Sequence, residues 1–265
     1  MTSKEKFDRA AKEVQVELFK KGLEWVYIAC YGSDNYNLQT ESSDMDVKVI
    51  VVPSLHSIVF AAKPISETWD FEWGQADIKD CRLMMENFLK QNTNFLEILF
   101  TDYYLINPTY EKEMEMLRDE ADKIARIDEC RHMRAILGMQ DQKYHALRHP
   151  YPSKVGIIEK YGFDPKQLSH IIRLYDLMKK YVKRSSYKTC ITPCGNMASY
   201  IKSTKLGTGC KNADAAEVIA RDYMKRTEEL YIDYADRAAT CEEEKEVLEK
   251  FKYDVIKKAL KEELK

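Results

Sequence analysis

Apolar and polar positions alternate at helical spacing over residues 3–21, which predicts an amphipathic helix with Ser3 as N-cap and Gly22 as stop. The pattern then changes. LEWVYIACYGS (23–33) is a β-rich run that ends in Gly32-Ser33, and SDNYNLQTESS is a polar loop with room for a short helical turn. DMDVKVIVVP (44–53) is apolar and β-branched, and its alternation places Asp44, Asp46 and Lys48 on one face and Met45, Val47 and Val49 on the other. Residues 55–62 carry no clear period. ISETWDFEWGQADIK (65–79) predicts a hairpin or a third strand, after which Asp80 caps a helix over 81–90 and a short helix covers 94–100. From Asn107-Pro108 onward the pattern is helical, over 109–122, 124–148, 164–184, 196–205, 213–238 and 242–264. Linkers fall at 149–154, at 185–195 and at Gly207–Gly209. Strands first and helices afterwards predict an α+β chain, with a small mixed sheet in residues 1–107 and a helical domain in 108–265.

Composition narrows the classes. With 45% hydrophobic residues in 265, the chain can bury a core, which excludes disorder, collagen and a disulfide scaffold. No apolar run approaches eighteen residues, so no membrane span is expected, and the charged start MTSKEKFDRAAKEVQ does not read as a signal peptide. Seven scattered cysteines suggest reduced thiols and a cytoplasmic protein; Cys190, Cys194 and Cys210 have no fourth ligand at zinc spacing. The net charge of −2 hides a segregation: 13 Lys+Arg against 23 Asp+Glu in residues 1–122, then 18 against 6 in 123–211. An acidic block before a basic one suits a carboxylate and metal site together with a polyanion-binding surface, or a chance sorting of solvated charges.

The chemistry concentrates in one place. Gly32-Ser33 closes a strand, Asp44-Met45-Asp46 opens the next, and Asp77 sits between Ala76 and Ile78 in a third. Carboxylates at i and i+2 of a strand share a face about 6–7 Å apart, which is unfavourable unless a cation neutralises them. Mg²⁺ is the natural ion, and two ions on three carboxylates form the clamp used for phosphoryl and nucleotidyl transfer. Gly32 would let a triphosphate approach the backbone, and Ser33 would offer it a hydroxyl and an N–H. Taken singly, Gly-Ser is also an ordinary turn and Asp-x-Asp a solvated strand end. Asp70 and Asp80 compete with Asp77, but Asp80 suits a helix cap better.

The run YGSDNYNLQTESSDMDVKVI resembles the signature of the DNA polymerase β-type nucleotidyltransferase superfamily: an apolar residue, Gly, Gly or Ser, about a dozen residues, then Asp-apolar-Asp-apolar. The segments at 77–100, 138–147 and 160–178 are similar to the RlaP-like branch, which is associated with RNA repair; the chain departs from that branch at 91–94, at Leu83 and over 185–210. The resemblance implies a nucleotidyltransferase domain followed by a helical substrate-binding domain. It implies Asp44, Asp46 and Asp77 as catalytic residues and ligands of two Mg²⁺ ions, with Mn²⁺ as a substitute, and Gly32 and Ser33 at the nucleotide. In the helical half, His170 and Arg173 share a face with Lys166 one turn earlier, and Lys143 lies on another helix; with the resemblance these read as phosphate contacts. Without it, His170 reads as a buried histidine and Arg173 as the partner of Asp176 or Asp164. Lys202 and Lys205 are further candidates. The expected activity is NMP transfer from an NTP to a hydroxyl, with release of pyrophosphate and an RNA end as acceptor. A protein or small-molecule acceptor, and a silent nucleotide-binding or antitoxin-like protein, stand as alternatives.

Overall fold

The computed structural model describes residues 2–40 and 43–264, so Glu41 and Ser42 of the polar loop lie outside it. Helix α1 (Ser3–Lys20) is capped by Thr2, not by Ser3: the Thr2 hydroxyl accepts from the Glu5 amide at 3.2 Å while the Glu5 carboxylate accepts from the Thr2 amide at 2.7 Å. This reciprocal pair satisfies two amides that a cap at Ser3 would leave open. The sheet contains β1 (Trp25–Tyr31), β2 (Met45–Val51), β3 (Ser66–Phe71), β4 (Gly74–Asp80) and β5 (Tyr104–Ile106), with α2 (Leu55–Val59) between β2 and β3. The strand order is β3-β4-β2-β1-β5; β2 and β4 run parallel and the other pairs antiparallel. The architecture is mixed α+β, as the pattern of elements predicts.

Strand parity decides which residues face what. Met45, Val47, Val49 and Val51 of β2 join Ala76 and Ile78 of β4 in a core closed by Phe7, Ala10, Val14 and Leu18, the apolar stripe of α1. The opposite parity puts Asp46 and Lys48 of β2 and Asp77 of β4 on the other face. On that side the chain continues into α3 (Cys81–Leu89), whose Met84, Met85 and Phe88 are buried. Asp80 caps α3 as the sequence predicts, accepting from the Arg82 amide at 2.7 Å. Next come α4 (Thr93–Leu96), which tightens into a 3-10 turn over Glu97–Phe100, then α5 (Glu111–Asp119) and α6 (Ala121–Ile124).

By compactness the chain forms two units, one of Met1–Asp128 with Thr240–Lys265 and one of Glu129–Ala239. The division expected between residues 107 and 108 thus falls inside the first unit. The C-terminal helix (Glu243–Glu263) packs on α3, α5 and α6 of that unit. The helix expected from residue 124 begins only at Glu129, because Asp128 pairs with Thr240 in a short β-bridge.

The second unit is helical: α7 (Glu129–Ala146), α8 (Val155–Tyr161), α9 (Pro165–Tyr181), α10 (Tyr187–Ile191), α11 (Gly195–Lys205) and α12 (Ala213–Ala235). Its centre is α9, on which α7, α10, α11 and α12 all pack and whose Leu168, Ile171, Ile172, Leu174 and Leu177 are buried. Asp164 caps α9 by accepting from the Lys166 amide at 2.9 Å. Gln140 of α7 ties the bundle together, donating to the Ile171 carbonyl and to the Thr227 hydroxyl, each at 3.0 Å.

Candidate functional site

In the first unit the site is built where β1 ends and β2 begins. Tyr31 pairs with Asp46 across the ladder, so the bend after β1 lies beside that carboxylate. Gly32 takes φ +79°, and a Cβ there would lie 3.5 Å from Asp46 Oδ2, so the glycine is needed for its backbone conformation more than for space. The expected helical turn is a series of tight turns: the Asn35 amide donates to the Gly32 carbonyl at 3.1 Å and the Leu38 amide to the Ser33 carbonyl at 2.9 Å. Glu97, buried, fixes the bend from behind. Its carboxylate accepts from the Gly32 amide at 3.3 Å and from Asn35 Nδ2 at 3.4 Å, and its carbonyl accepts from Asn35 Nδ2 at 3.2 Å.

Asp44 precedes β2 and is exposed, whereas Asp46 lies within the strand and is half-buried. The start of β2 is held by the Met45 amide, which donates to the Trp73 carbonyl at 2.8 Å, and by the approach of Gly74. There φ is +142°, and a Cβ would fall 1.9 Å from the Met45 carbonyl oxygen.

Asp77 stands opposite Lys48 in the β2–β4 register, while Asp46 stands opposite Gln75. Its Oδ2 lies 2.7 Å from Lys48 Nζ and its Oδ1 2.6 Å from Lys79 Nζ. Burial alone pushes the Asp77 carboxyl up; the two ammonium groups more than reverse this and hold it below the ordinary carboxylate value. Lys48 is only 4% exposed and is flanked by the Tyr31 ring at 3.9 Å and the Phe95 ring at 4.3 Å. Burial pushes the Tyr31 phenol well up, and Asp46, Asp77 and Glu97 add to this, so all three acids act on one hydroxyl. Among the described residues, no three His, Cys, Asp or Glu side chains gather into a metal-binding group.

In the second unit the residues singled out from sequence do gather. Arg173, Lys143, Lys166 and Lys205 all act on His170, which desolvation and these cations hold neutral well below the usual imidazole range. Desolvation, Arg173 and Lys166 also push the Lys143 ammonium down, while Asp164 acts in the opposite sense. Neither acid weighed as a partner for Arg173 lacks a cation of its own: Asp176 pairs with Lys180 at 2.6 Å and Asp164 with Lys154 at 3.6 Å.

Sequence reasoning placed Lys48 on the acid face but gave it no role, and it missed Glu97 altogether. The signal for Glu97 is a lone acid in the apolar run FLEILF, a buried charge that must find donors. All seven cysteines are free thiols, and no helix among the described residues is long and apolar enough to cross a membrane. No protein-family model and no curated protein sequence matches this chain.

Proposed function

We propose that the chain is a Mg²⁺-dependent nucleotidyltransferase that moves NMP from an NTP to a hydroxyl acceptor, an RNA end being the favoured acceptor. The observation that carries this is the Gly32 bend at positive φ set against Asp46, with Asp44 two residues earlier. Hard carboxylate oxygens next to a backbone that a phosphate can approach are the donor set that suits Mg²⁺, or Mn²⁺ in its place. When bound, such an ion supplies Lewis acidity at a phosphate oxygen and lowers the pKa of a hydroxyl.

The chain's own residues do the rest. Gly32 and Ser33 receive the β- and γ-phosphates, and Glu97 keeps the bend in shape. The acceptor oxygen bonds to the α-phosphorus in line, the bond from that phosphorus to the bridging oxygen of the leaving pyrophosphate breaks, and the hydroxyl proton passes to solvent. Within the second unit, Lys143, Lys166 and Arg173 lie about the neutral His170 as a cationic cluster suited to the phosphates of a polyanion, and the basic 123–211 block favours a polyanionic acceptor.

The test is to incubate the full chain with each α-labelled NTP, Mg²⁺, and pools of RNA, protein or metabolites. Label on RNA is the expected outcome. Label on protein or a small molecule keeps the reaction and changes the acceptor. No transfer and no pyrophosphate with any pool overturns the reading.

A further inference from the structure

We propose that Lys48 is the resident cation of Asp77, so that the acid face of the sheet takes one divalent ion, at Asp44 and Asp46, and not two. This rests on the nucleotidyl-transfer reading for the presence of the first ion.

The geometry is specific. Asp46 and Lys48 share one face of β2, and Lys48 stands directly opposite Asp77. Its ammonium lies 2.7 Å from Asp77 Oδ2 and is held between two aromatic rings at 3.9 and 4.3 Å. A surface lysine could swing away to make room for a metal. Lys48, at 4% exposure, is enclosed, and both rings favour the cation where it is. The second carboxylate oxygen faces Lys79, whose Nζ also donates to Ser66 Oγ at 3.0 Å. A divalent ion at Asp77 would have to displace the near ammonium, strand a buried charge and sit beside it. A second ion on Asp77 therefore does not fit these residues, whereas one ion on the Asp44–Asp46 pair does.

Lys48 is then a positioning residue. It fixes Asp77 as a neutralised pair and places a permanent positive charge beside the acids. The decisive experiment titrates Mn²⁺ alone into the full-length protein, with free Mn²⁺ read by electron paramagnetic resonance. The expected stoichiometry is one ion, weakened at least tenfold by Asp46→Asn and still present in Asp77→Asn. Lys48→Met should open a second ion site that Lys48→Met/Asp77→Asn removes, a gain that a merely structural role would not produce. If Lys48→Met does not fold, the wild-type count and Asp77→Asn decide. Two ions in the wild type, or loss of an ion in Asp77→Asn, overturns the proposal and leaves nucleotidyl transfer standing. No bound Mn²⁺ in the wild type also overturns the proposal, while the transfer assay decides the nucleotidyl-transfer reading.

Discussion

The two units handle charge in opposite ways. On the sheet of the first unit, the buried charge is resolved internally: Asp77 meets two ammonium groups, and Lys48 meets a carboxylate and two rings. In the helical unit, Arg173, Lys143, Lys166 and Lys205 act on one imidazole, and desolvation, with the neighbouring cations adding to it, pushes His170 and Lys143 towards their neutral forms. The first arrangement neutralises a carboxylate in place, whereas the second sets several cations about a neutral imidazole.

The contrast is broken most severely at Lys48. Replacing it with methionine leaves Asp77 with Lys79 alone and should cost about 3 kcal/mol. Denaturant unfolding would show this as a lower midpoint; a midpoint within error of the wild type would mean that the pair is not a structural charge. The next effect is one of pH. Because His170 is held below its unfolded value of about 6.5, the unfolded chain binds the extra proton first. Stability is therefore complete above pH 6.5 and falls as the pH drops below it, by up to about 1.4 kcal/mol per pH unit. Thermal unfolding of His170→Gln should flatten that slope. Gly32→Ala should cost about 1 kcal/mol, since the side chain fits but φ +79° does not suit it, and should raise the KM for NTP more than it lowers kcat. Smallest, and opposite in sign to Lys48→Met, Lys143→Met should slightly raise the unfolding midpoint of the ligand-free protein while weakening its binding of inorganic tripolyphosphate in calorimetry.

These differences explain what the sequence revealed. The period-2 alternation of DMDVKVIVV placed Asp46 and Lys48 on one face, because strand parity is a local property. That Lys48 would meet Asp77 depends on the register of a parallel pair joined through α2 and β3, which no local pattern encodes. The i, i+3 spacing of His170 and Arg173 was legible for the same reason as the strand parity. The convergence of Lys143 and Lys205 on them required the packing of α7 and α11 against α9. That residues 240–265 group with the first unit is a long-range choice, to which the buried Leu248, Phe251 and Val255 of the C-terminal helix contribute and which no local pattern encodes.

We propose that the Asp44–Asp46 pair beside the Gly32 bend drives nucleotidyl transfer. The most direct measurement is Mg²⁺-dependent pyrophosphate release from NTP in the presence of RNA, for the wild type and for Asp44→Asn and Asp46→Asn. The expected result is release by the wild type and at least a hundredfold loss in each variant, with unfolding midpoints unchanged. Release that persists in folded Asp44→Asn and Asp46→Asn would contradict it.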